Sequence, residues 1–117
     1  MTDQEIFDKV VNHLRKQGGK AVNDDGECLY RAPHGKKCAF GCLMTDEEYT
    51  GRWEFRTARY LIDTEESLQR FAPHKELIYT LQKIHDATSY GVYKWEEKFK
   101  KCAEKFGLEY KPKVEDL

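Results

Sequence analysis

Cys28, His34, Cys38 and Cys42 place four soft or borderline donors within fifteen residues. Four such donors in a tetrahedron are what a zinc ion takes, so a zinc module is the first chemistry these residues allow. The spacing is not that of a zinc knuckle, because no Cys-x-x-Cys pair occurs. Cys38 and Cys42 stand at i and i+4. On a helix both thiols would share one face, where they either chelate or pack as small apolar groups. A second chemistry is nucleophilic. Cys38 or Cys42 paired with His85, with Asp86 or Asp63 orienting the ring, would make a Cys-dependent enzyme. Neither a local nucleophile signature nor an oxyanion loop accompanies that pairing.

A third is anion binding. Lys36 and Lys37 follow Gly35 and precede an expected helix start, where free N–H groups favour negative charge. His85 is the third candidate ligand residue of that site. No glycine-rich phosphate loop is present. Adjacent carboxylates (Asp24-Asp25, Glu47-Glu48, Glu65-Glu66, Glu96-Glu97) do not share a helix face and read as solvated surface. The last candidate is a partner-binding surface of aromatic and arginine side chains: Tyr49, Arg52, Trp53, Phe55 and Arg56, with Tyr60 nearby and with Tyr90 and Tyr93 further along. Such residues are either the centre of an interface or loop anchors folded back onto a small core.

The elements that must position these residues are mostly helical. Ile6, Val10 and Leu14, flanked by Phe7 and Val11, predict a helix over residues 3–17. Thr2 with Glu5 forms a capping-box signature, and Gly18-Gly19 is a stop. Asn23 to Gly26 is a turn. Residues 28–31 read as a short strand returning at Lys36-Lys37, a small β-hairpin over residues 27–37. Cys38 to Met44 reads as a short helix in which Ala39 and Gly41 admit a close neighbour. Residues 50–63 follow neither period and predict a long loop with a short helix inside it. Thr64 to Phe71 reads as a further short helix, capped by Thr64. Pro73 opens the next, which buries Leu77, Ile78, Leu81, Ile84 and His85 and ends near Thr88. Trp95, Phe99, Cys102 and Phe106 form the core stripe of the last helix, closed by Gly107 and Leu108. The fold class is mainly α, a compact four- to five-helix domain over residues 1–110 with a flexible tail over residues 111–117.

Bulk composition narrows the function classes. The chain has 117 residues, 39% apolar, 35% charged and 13% aromatic, which is a globular composition. Twenty basic residues face twenty-one acidic ones, so charge balance gives no case for nucleic acid or an anionic membrane. No apolar run approaches the roughly 20 residues of a membrane span. The start, Thr2-Asp3-Gln4-Glu5, lacks a signal-peptide pattern. The expected compartment is the cytoplasm, where the four cysteines stay reduced.

Lys37-Cys38-Ala39-Phe40-Gly41-Cys42-Leu43, then Leu81-x-x-Ile84-His85-Asp86, then Trp95, Phe99 and Phe106-Gly107-Leu108 form a spaced pattern. It resembles small uncharacterised proteins of bacteriophages and of prophage-bearing bacterial genomes, which carry a Cys-Ala-x-Gly-x-Leu turn of helix. The resemblance covers most of the chain except residues 50–70. It implies a packing role for Cys42, whose position is typically alanine in a wider related set. It also implies a context: an accessory protein in the host cytoplasm that works by binding a host protein, as a takeover or anti-defence inhibitor, or by sequestering a signalling molecule. Of the two, host-protein binding without catalysis and without a cofactor is the expectation. The alternatives left open by the residues themselves are an anion- or zinc-binding module at the Cys38 helix start and a Cys-dependent enzyme.

Overall fold

The computed structural model describes residues 1–87 and 94–113. The protein is mainly helical, as the sequence predicts. Helices α1 (Asp3–Gln17), α2 (Ala58–Thr64), α3 (Lys75–Asp86) and α4 (Trp95–Phe106) surround one core. α3 is central, packing on α1, α2 and α4. None of the described helices is long and apolar enough to cross a membrane.

The helix ends obey their local chemistry. The Thr2 hydroxyl accepts the Glu5 N–H at 3.1 Å, and the Glu5 carboxylate accepts the Thr2 N–H at 2.8 Å. This is the reciprocal cap the sequence announces. At the end of α4, Gly107 takes φ 66°, and the Leu108 N–H reaches the Ala103 carbonyl at 2.8 Å. That bond belongs to the glycine-closed helix end in which orphan carbonyls find late donors. The chain then stays attached. Gln4 pairs with the Glu109 backbone through bonds of 3.0 and 2.8 Å, and Arg15 holds both Glu96 and the Lys111 carbonyl. Tyr110 and Lys111 are therefore anchored to α1 and α4; of the tail expected over residues 111–117, residues 114–117 lie outside the described ones.

Four expectations differ in the structure. The hairpin at residues 27–37 forms no strand. Single antiparallel bridges join Arg31 to Lys37 and Val22 to Cys28. The reason is that the Tyr30 and Arg31 amides donate to the Glu54 carboxylate, at 2.8 and 3.1 Å, rather than to a neighbouring strand. Cys38 to Met44 is a tight turn ending in one 3-10 turn, Gly41–Leu43, not a helix. Residues 66–74 run as a 3-10 helix, Glu66–His74, that contains Pro73, and α3 begins only at Lys75. Proline has no N–H and crowds the turn before it, so regular α-helix starts past it. Thr64 closes α2 instead of capping the next helix; its hydroxyl donates to the Tyr60 carbonyl at 2.7 Å, and Thr57 caps α2.

Arg70 clamps Glu48 at 2.8 and 2.7 Å, tying the 3-10 run to the turn after Met44. Partial burial works against the Glu48 charge, but Arg70 and the Thr45 N–H outweigh it and hold the carboxyl down at about 2. A carboxyl lowered on folding stabilises above its unfolded value and loses that contribution as pH falls through its folded value. Glu48→Gln is therefore expected to lower stability at pH 7. Its deficit against the parent should shrink steadily from about pH 4.5 down to about pH 2. Urea midpoints across that range measure it; a pH-independent deficit contradicts the ion pair.

Candidate functional site

The four zinc candidates do not converge; no three of them lie within 4.8 Å of one another. His34 is exposed on the turn at residues 33–35 with φ 65°. Cys38 is fully buried and its sulfur accepts the Gly41 N–H at 3.2 Å. The Cys42 thiol donates to the Ala39 carbonyl at 3.1 Å. Burial raises both thiols, Cys42 to about 12 and Cys38 further.

Among the described residues, one group of possible metal ligands does come together: Cys28, His85 and Asp86. Its hydrogen bonds identify it as a lock. The Ala21 N–H donates to His85 Nε2 at 3.0 Å, so that nitrogen carries no proton. The proton is then on Nδ1, which donates to Asp86 Oδ1 at 2.8 Å. Gln82 donates to the same oxygen at 3.0 Å. Neither ring nitrogen has a lone pair free for a metal or for a thiol proton. The Cys28 thiol is raised to about 11 by burial first and by Asp86 second, so it stays protonated and hydrogen-bonded to that carboxylate. A thiol held in this form is a poor nucleophile. The cluster fastens the residue 20–28 segment to α3. Gln82 also accepts the Phe40 N–H at 2.9 Å, extending the lock to the Cys38 turn.

The anion candidates are also separated. Lys36 lines a shallow cleft of about 340 Å³ with His13, Lys16, Gln17, His34 and Gly35. Lys37 instead faces Asp46 at 3.8 Å, and His85 is buried in the lock.

The aromatic group divides in two. Trp53 is only 6% exposed, and its indole N–H donates to Glu65 at 2.9 Å. Tyr49 is half-buried, edge-on to Trp53, and its hydroxyl donates to Glu54 at 2.6 Å. These two are anchors, so of the two roles the sequence leaves open for them the structure shows loop anchors folded back onto the core. Arg52, Phe55 and Arg56 are exposed, Phe55 at 71%, and Tyr60 is 46% exposed. Tyr90 and Tyr93 lie outside the described residues.

Phe55 has φ 64°. A bulky side chain in the left-handed region is strained and needs surroundings that fix it. Trp53 pins the chain before it, Glu54 is bound by the Tyr30 and Arg31 amides, and the Tyr30 hydroxyl donates to the Arg56 carbonyl after it. The turn stands at the rim of a groove of about 540 Å³ between residues 54–59 and α3, with Cys28 to Tyr30 and Lys105 completing the wall. The groove has the size of an ordinary ligand pocket.

Arg59, Tyr79, Lys83 and Lys105 also line this groove, and the sequence reading missed all of them. One signal for two of them was present: Tyr79 and Lys83 stand at i and i+4 on α3 and share a face. Arg59 and Lys105 have no counterpart in local pattern. No protein-family model, no curated protein and no solved structure matches this chain.

Proposed function

We propose that this chain is a non-enzymatic binding protein whose partner surface is centred on Phe55, with Arg52, Arg56 and Tyr60 around it. The observation that carries the reading is Phe55 itself: a large apolar ring left 71% exposed on a backbone at φ 64°. Folding gains nothing from that ring and bears the strain of its position, the pattern in which strained residues serve recognition. Aromatic and arginine side chains are the usual energetic centres of protein interfaces. The partner in this reading is a host protein, the class that the phage-type resemblance implies.

Phe55→Gly separates function from stability. Glycine takes the left-handed region without a Cβ clash, so thermal stability should hold or rise by up to about 1 kcal/mol. Capture of the partner from host lysate should fall at least about tenfold, as expected for an interface anchor. Arg56→Ala should reduce capture with stability within about 0.5 kcal/mol. Lysate fractions captured by the parent and by Phe55→Gly that are indistinguishable overturn the reading.

A further inference from the structure

We infer that the groove between residues 54–59 and α3 is a binding site for a small organic anion carrying phosphate or carboxylate groups. The inference shares Arg56 with the protein-partner reading but rests on the inner wall, Arg59, Tyr79, Lys83 and Lys105, rather than on Phe55.

Four cations reach the groove from three parts of the fold: Arg56 and Arg59 from the start of α2 and the turn before it, Lys83 from α3 and Lys105 from α4. None of the four has a carboxylate within 4.0 Å among the described residues. The carboxylates nearby are otherwise engaged. Glu54 accepts from two backbone amides and the Tyr49 hydroxyl, and Asp86 accepts from His85 and Gln82. Glu76 is the remaining acid of the lining. In a chain with a net charge of −1, a concentration of unpaired cations around one concavity favours an anion.

The two guanidinium groups are already oriented. Arg56 lies over the Tyr60 ring at 5.0 Å and Arg59 over the Tyr79 ring at 4.6 Å. A stacked guanidinium keeps its N–H fork available for two parallel bonds to a carboxylate or phosphate. The Tyr79 hydroxyl supplies the second, independent observation. It is buried and has no hydrogen-bond partner among the described residues. An unpaired buried hydroxyl is costly, and an acceptor oxygen on a ligand would complete it once the side chains covering it, Arg59 over the ring among them, shift toward that ligand. The cleft at His13 and Lys36 has comparable charge but no such unsatisfied group.

The test is an amide NMR titration of the whole chain with pyrophosphate as the phosphate arm and citrate as the carboxylate arm, at matched ionic strength. At least one should produce saturable shifts at residues 56–59 and 79–83 with an apparent Kd below about 1 mM. Response to one arm alone identifies the group recognised. Arg59→Glu and Lys83→Glu should each weaken binding by about tenfold or more, with the rest of the spectrum unchanged. Tyr79→Phe should weaken binding about fivefold while folding stability holds or rises, because it deletes an unpaired hydroxyl. Lys16→Glu, in the other cleft, should leave the groove shifts intact. Absence of saturable shifts with both anions overturns the inference. So does binding that survives both charge reversals, or that is confined to the His13 and Lys36 cleft.

Discussion

Trp53→Ala is expected to destabilise the whole domain and not merely to remove a contact surface. Trp53 is 6% exposed, and truncating a buried tryptophan to alanine costs about 3–5 kcal/mol through lost burial and the cavity that remains. Against a total stability of roughly 5–15 kcal/mol, that is a large fraction. The loss should lower the melting temperature by about 12–20 °C at this chain length. The indole also ties two elements together. Its N–H donates to Glu65, the residue at which α2 ends and from which the 3-10 run begins, so its removal loosens that junction too. Trp53→Phe keeps most of the apolar contact and forfeits the hydrogen bond, so a loss of only about 1–2 kcal/mol is expected. Arg52→Ala next door should change stability by less than about 0.5 kcal/mol. Thermal melts followed by circular dichroism measure all three. A Trp53→Ala melt within a few degrees of the parent would mean that the ring is not a core anchor.

The same residue shows where sequence reading stops. α1 and α4 are legible because their apolar residues recur at helical spacing and their ends carry Thr2 with Glu5 and Gly107 with Leu108. Each of those signals is local. Trp53 lies in a stretch with no period, and its ring turns in because tertiary contacts hold it there: Tyr49 edge-on and the Glu65 carboxylate on its indole N–H. Glu54 is equally unreadable. A lone glutamate in a loop gives no sign that it will gather two backbone amides and a tyrosine hydroxyl, replacing the expected hairpin. The cysteines were legible by type and misleading by spacing. The residue that joins His85 is Cys28, through Asp86, and the nearer-looking pair Cys38 and Cys42 is bonded within its own turn. The groove is the least legible part, since its cations come from separate elements that only the tertiary fold brings together.

Gly41→Ala is the second large effect, and it tests the tightest contact in the fold. A Cβ at this position would stand 1.9 Å from the Tyr30 carbonyl oxygen and 2.7 Å from its carbon. Both atoms are backbone, so no side chain can swing aside. The carbonyl is fixed as well, because it accepts the Cys38 N–H at 3.2 Å. Moving residues 30–31 away would strain their bonds to Glu54 and the Arg31 bond to the Gly41 carbonyl, 3.2 Å long. It would also pull the Tyr30 hydroxyl from the Arg56 carbonyl that steadies the Phe55 turn. Overpacking of this kind costs about 3 kcal/mol or more when backbone must shift. A melting temperature at least about 12 °C below the parent, or loss of soluble protein, is expected. Gly51→Ala is the matched control: nothing lies within 4 Å of its Cβ, and its φ is not in the positive region. Alanine there should be neutral or stabilising by up to about 1 kcal/mol, through the unfolded chain. If both alanine variants melt with the parent, Tyr30 and Gly41 are not in contact. If only Gly41→Ala fails, the small residues of the Cys38 turn are there to admit the Tyr30 backbone, and with it one wall of the groove.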